Sequence, residues 1–198
     1  MKAFMRRVVL GKQIDTRTSK CCEIIECKNC ENSELLLKTE CIQDVSSTGA
    51  GCKVKNGGYI LLDFGKEIHG GINLTVNHVK DDLSGLVRVV FGESISEALS
   101  IIGEKNATND HSPRDITVEV PFLSSTDIGK TGFRFVKIEA LSEEIEIKSV
   151  TAVFIYKDIK YQGSFECDNE LLNKIWKTGA YTVHLNMQDY LWDGIKRD

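Results

Sequence analysis

The apolar residues of this chain change period once, and that change sets the strongest limit on its fold. From residue 72 to 156 they alternate with polar neighbours: Ile72, Leu74 and Val76; Val87, Val89 and Phe91; Ile116, Val118 and Val120; Ile145 and Ile147. A spacing of two places one set of side chains on one face of an extended backbone, so each run predicts a half-buried strand. Residues 59–64 form a further apolar run, punctuated by Gly65, Gly70 and Gly71, and residues 150–156 are almost continuously apolar. In residues 133–140, Phe133 and Phe135 have the opposite parity to Val136, Ile138 and Ala140, which requires either two covered faces or a bulge. A short helical turn fits Ser96, Glu97, Ala98 and Leu99, and residues 103–114 read as a polar loop. Closely spaced strands without intervening helical patterns predict a mainly β fold, an antiparallel sandwich of jelly-roll type.

After Gly163 the period becomes helical. Leu171, Leu172, Ile175, Trp176, Ala180, Val183, Met187 and Leu191 recur at steps of three and four, behind Asp168 as N-cap and Glu170 at the positive end of the helix dipole. The pattern predicts one long C-terminal helix of about twenty residues. A lone amphipathic helix cannot bury its stripe, so it either lies on the sandwich or begins a helical domain that this sequence does not finish. Trp176 lies on the stripe and reads as core; Gly179 fits a close helix contact or a tolerated defect; and His184 reads as a packing residue. The chain thus divides into a cysteine-rich segment of short strands (1–55), a β-sandwich (56–160), and a linker with the first helix of an incomplete helical domain (161–198).

The formal charge of -4 and the absence of a long basic block argue against nucleic acid as a partner. The opening MKAFMRRVVLGKQ holds only a three-residue apolar run, too short for a signal-peptide core or a membrane span. A cytoplasmic location, with no membrane partner, is the expectation. Seven cysteines are an odd number, better read as reduced thiols than as a disulfide framework. Cys27 and Cys30 have the spacing of two zinc ligands, but Cys21, Cys22, Cys41 and Cys52 supply no second pair of that kind. Free thiols are therefore expected, and no metal site is assigned. His69, His78 and His111 show no shared ligand spacing, and the sequons at Asn73 and Asn106 carry little meaning without secretion.

The stretch YLWDGIKRD, residues 190–198, crowds Asp193, Lys196, Arg197 and Asp198 directly behind the helical pattern. Taken alone it reads either as a solvated terminus whose cations favour the negative helix end or as part of a site. In order along the chain, LDFGKEIHGGINLTV (62–76), VRVVFGES (87–94), DITVEVPF (115–122), GKTGFRFVKIEAL (129–141) and YQGSFECDNELLNKIWKTGAYTVHLNMQDYLWDGIKRD (161–198) resemble bacterial α-L-rhamnosidases of the inverting (α/α)6-barrel type. The resemblance covers residues 55–198.

It implies an N-terminal portion of a glycoside hydrolase that removes terminal rhamnose from oligosaccharides or glycosides, with a sandwich supporting a six-hairpin helical barrel. No cofactor is implied, and calcium is the one ion left open. Asp193 matches the Asp that opens the family's acidic loop and holds sugar hydroxyls. Arg197 matches the Arg that organises neighbouring carboxylates. Asp198 falls on the general acid of some members and precedes it in others, and Trp192, beside the motif, is a candidate for stacking on a sugar ring. Ile195 stands where the family usually has Pro, and Glu93 matches a strand-end acidic residue with no catalytic role assigned. The resemblance implies that this chain alone is nearly inactive, because the family's catalytic base lies farther along the chain. The competing readings are a stand-alone carbohydrate-binding sandwich without catalysis and, less favoured, a zinc-stabilised interaction module. Linkage, aglycone and oligomeric state are left open by the sequence.

Overall fold

The computed structural model describes residues 5–9, 12–38, 51–104 and 112–196. Cys41, Asn106, His111, Arg197 and Asp198 lie outside them. In chain order the elements are β1 (Met5–Val9), β2 (Lys12–Lys20), β3 (Glu23–Glu31), α1 (Leu35–Lys38), β4 (Cys52–Val79), β5 (Ser84–Gly92), α2 (Ile95–Leu99), a 3-10 turn (Ser112–Arg114), β6 (Asp115–Pro121), β7 (Ser124–Ala140), β8 (Glu144–Lys157) and α3 (Glu170–Asn186). All the strand pairs are antiparallel, in the order β1-β2-β8-β4-β7-β5-β6, with β3 joined to β4.

β4 organises the sandwich. Its first half pairs with β3 (Ile60 opposite Cys27) and its second half lies between β7 (Leu74 opposite Thr126) and β8 (Ile72 opposite Ala152). The polypeptide wraps around one core, which draws on Ile72, Leu74, Val76, Val87, Val89, Phe91, Val120, Val136, Ile138, Ile145 and Ile147. These are the residues that alternate in the sequence, and each fully buried side chain contributes roughly 1.5–3 kcal/mol. Phe133 sits at the centre, edge-on to Phe64 at 5.7 Å and to Phe91 at 5.0 Å.

The parity conflict in β7 is resolved in both of the ways open to it. Opposite Phe133 and Phe135 the register shifts, because β4 carries extra residues between Asp63 and Ile68. Phe135 faces away from the main core into a second cluster with Leu61 and Ala98 of α2. The short helix lies where expected, with Ser94 as N-cap accepting from the Glu97 amide.

The C-terminal helix is present, with two corrections to the expected boundaries. Its N-cap is Asn169 rather than Asp168, because the Asn169 side chain accepts from the amides of Leu171 and Leu172. It ends at Asn186, so it is shorter than twenty residues, and Leu191 instead pairs with Met187 in an isolated bridge. The stripe is not core: Leu171 is 65% exposed and Ile175 56%. Trp176 lines an open groove of about 270 Å³ with Ile159, Tyr161, Ala180, Val183 and Met187. A Cβ added at Gly179 would meet nothing within 4 Å, so no close helix contact explains that glycine among the described residues.

Candidate functional site

The last turn of α3 and the loop behind it are fastened to the sandwich by polar groups. Tyr181 Oη donates to the Glu67 carbonyl at 2.5 Å. His184 Nε2 lies 2.6 Å from the Lys157 carbonyl and must donate to it, which leaves Nδ1 to accept from Tyr161 Oη at 3.0 Å. Gln188 Nε2 donates to the carbonyls of Leu185 (2.9 Å) and Ile155 (3.4 Å), and the amides of Gln188 and Trp192 both return to the Asn186 carbonyl at 3.0 Å. The chain beyond the helix is therefore held in one path without regular secondary structure.

That path carries the residues singled out in the sequence. Trp192 is half-buried and stands edge-on to His69, with ring centroids 5.8 Å apart. Asp193 is exposed and Gly194 intermediate, whereas Ile195 is buried at 8% exposure. Ile195 fills the notch above Gly132: a Cβ on that glycine would overlap its Cγ1 and Cδ1. The structure thus places Trp192 and Asp193 on one anchored loop.

His69, from β4, is 1% exposed, and burial lowers its pKa below the ordinary histidine value. Its Nδ1 faces the Ile195 carbonyl at 3.2 Å, and a carbonyl can only accept, so Nδ1 carries the proton. Nε2 is buried without a hydrogen-bond partner.

Three carboxylates, Glu67 of β4, Glu93 just after β5 and Glu97 of α2, lie around the end of the loop. Lys196 Nζ reaches Glu97 Oε1 at 2.5 Å and Glu93 Oε2 at 3.4 Å, with the Lys196 and Glu97 side chains only 10% and 5% exposed. Glu97 Oε2 in turn accepts from the Glu93 amide at 2.8 Å, which fixes the carboxylate across the start of α2. Glu67 lies in the irregular part of β4, and one of its oxygens is buried without a partner. Burial and, next, a hydrogen bond with Glu93 push its pKa up to about 8, against a smaller lowering by Lys196. A carboxyl of this kind holds its proton at neutral pH.

Two sequence motifs gain a structural reason here. Asp63 accepts a two-pronged contact from Arg134, Nε to Oδ1 at 2.8 Å and Nη2 to Oδ2 at 2.7 Å, and also caps the Gly65 amide at 2.6 Å. The Asp of LDFG and the Arg of GFRF therefore close the β4 irregularity that carries Glu67. Glu67 and His69 share one stretch of β4 and Glu97 lies in α2; none was singled out as a site residue, because only the fold brings these two stretches to the loop. Among the described residues no group of three or more His, Cys, Asp or Glu side chains could hold a metal ion. Among them, too, no helix is long and apolar enough to cross a membrane. Cys21, Cys22, Cys27, Cys30, Cys52 and Cys167 are free thiols.

No protein-family model matches the chain. An α-L-rhamnosidase of Formosa agariphila is 36% identical over 52 residues, 26% of this chain and 6% of that protein. Among solved structures, a rhamnosidase from Klebsiella oxytoca with rhamnose bound superposes over 100% of this chain and 38% of its own, with a TM-score of 0.69 and 15% identity. An α-L-rhamnosidase from Dictyoglumus thermophilum matches over 92% of this chain and 18% of its own, with a TM-score of 0.54 and 17% identity. The chain spans well under half the length of each of these relatives. In its antiparallel sandwich and following helix, and over a short stretch of its sequence, this chain resembles the α-L-rhamnosidases.

Proposed function

We propose that this chain is the N-terminal portion of an α-L-rhamnosidase-like glycoside hydrolase that removes terminal rhamnose from oligosaccharides or glycosides with inversion. The observation that carries the reading is full coverage of the chain by a rhamnosidase solved with rhamnose bound, together with residues 193–196 anchored directly behind α3 and Asp193 exposed among them. The exposed apolar stripe of α3 fits the first helix of a helical barrel.

Inverting hydrolysis needs a protonated acid at the glycosidic oxygen and a carboxylate base about 6.5–9.5 Å away that activates water. In this reading Asp193 holds sugar hydroxyls, Trp192 offers an aromatic edge beside them, and Arg197 orients carboxylates. Asp198 is the acid or directly precedes it. The base belongs to the larger enzyme, so the 198-residue chain alone should hydrolyse an aryl α-L-rhamnoside slower by ~10²–10⁴ than the complete protein.

The test has two parts. The reading frame beyond the Asp198 codon is sequenced, and the complete product is assayed by proton NMR for release of L-rhamnose as the inverted anomer. Helical repeats and inverted product support the proposal. Full turnover by the 198-residue chain would overturn it, as would an immediate stop codon with saturable sugar binding and no hydrolysis, the result expected of a stand-alone binding module.

A further inference from the structure

We infer that Glu97 and Glu93 of the sandwich are positioning residues, which act through Lys196 to hold the loop that presents Asp193. Four observations converge. The segment from Gln188 to Lys196 has no helix or strand to fix it beyond the Met187–Leu191 bridge. Its far end is nonetheless fixed at three consecutive levels: the Trp192 ring on His69, the Ile195 side chain on Gly132 with its carbonyl on His69, and Lys196 on Glu97 and Glu93. Between these anchors only Asp193 is exposed. The Lys196–Glu97 contact is nearly dry, whereas Glu93 is 46% exposed, and a buried ion pair sets register more than it adds stability.

The pairing of Lys196 with the buried Glu97 favours one seating of the loop, because moving Lys196 away leaves the Glu97 carboxylate desolvated without it. Among the described residues, the charged groups that face Lys196 are Glu97 of α2, Glu93 just after β5 and, more distantly, Glu67 of β4. Glu93 and Glu97 are the two carboxylates in ion-pair contact with Lys196. The sandwich is then part of the sugar site, because it sets where a hydroxyl-binding carboxylate stands; an error of about 1 Å at such a position costs on the order of 10²-fold in rate.

This inference rests on the reading of Asp193 as a sugar contact, but its test involves no sugar. The chain has two tryptophans, so in a Trp176→Phe background the fluorescence of Trp192 reports loop seating alone. Lys196→Met should raise the acrylamide quenching constant of Trp192 about threefold and speed amide exchange across residues 189–196, while the sandwich core stays protected. Lys196→Arg should restore both readouts, because a guanidinium keeps the charge and reaches the same carboxylates. Glu97→Gln should act in the same direction as Lys196→Met, and Glu93→Gln, at the longer contact, more weakly. Unchanged Trp192 quenching in Lys196→Met, or failure of Lys196→Arg to restore it, would overturn the inference. Either outcome leaves the hydrolase reading to be judged by rhamnose release, and loss of that reading leaves the loop measurement intact.

Discussion

Ile195 packs directly on Gly132, and its side chain occupies the place where a Cβ on that residue would stand. The GFRF stretch of β7 and the loop at residues 193–196, separate in sequence, are thereby one packing unit. Gly132→Ala should unseat the loop and cost about 1–3 kcal/mol through overpacking, read from urea unfolding and from Trp192 emission. Adding Ile195→Ala should recover part of that loss, since paired changes at a contact are not additive.

Glu67 gives the junction a pH dependence of definite sign. Its folded carboxyl holds a proton up to about pH 8, against an ordinary value of 4.5. The folded state therefore binds more protons than the unfolded state across that window, and stability must fall as pH rises through it. Glu67→Gln keeps the buried shape without a titrating proton. Urea midpoints for the parent chain should decline between about pH 5 and 8, and the variant should show a shallower decline.

His69 acts with the opposite sign. Burial lowers its pKa, so the folded state favours the neutral ring; its contribution is present above the ordinary histidine value and is lost as pH falls through the lowered one. An NMR titration of the His69 ring should show an apparent pKa below the ordinary value. Acidification past it should increase Trp192 accessibility, and His69→Gln should remove that acid-side change.

The Asp63–Arg134 pair should be important to the whole junction rather than to its own surface. Arg134→Ala leaves the buried Asp63 carboxylate with only the Gly65 amide, and loss of a partner for such a group costs about 1–3 kcal/mol. Hydrogen exchange should show faster opening around residues 63–68. The Asp63 pKa, held low first by the Arg134 hydrogen bonds, should rise in the variant.

Asp193→Asn is the substitution that separates sugar contact from loop seating. In the complete enzyme it should lower kcat/KM for an aryl α-L-rhamnoside by about 10²-fold or more, with Trp192 quenching unchanged. A loss of quenching protection in Asp193→Asn would instead assign the residue a structural role.

The sheet was legible in the sequence because a spacing of two has one structural meaning when one face is buried, and the alternating residues of β4, β5, β7 and β8 line the core. The helix was legible for the same reason, but its cap was not, since Asp168 and Asn169 are chemically equivalent candidates and only backbone geometry chooses between them. Trp176 was misread as core because an apolar stripe records that a helix face is suited to burial, not what covers it. The loop motif was visible; its anchors were not. Glu97 looks like the polar side of a short exposed helix, and its burial follows from the docking of α2 over Leu61 and Phe135. Arg114 likewise sits in a polar stretch yet is fully buried, donating to the Glu97 carbonyl and to Ser100 Oγ, both at 3.1 Å.

The 28 residues of β4 also determine the order in which the protein can assemble. A ribosome releases β4 early, but its neighbours β7 and β8 emerge only after β5 and β6 have been made. During that interval β3 is the one strand available to it, and the half of β4 holding Ile72, Leu74 and Val76 waits as an open apolar edge. Pairings this distant in sequence close slowly and expose the chain to aggregation meanwhile. Yield of soluble protein should therefore depend on synthesis rate and temperature more than on the final stability of the sandwich.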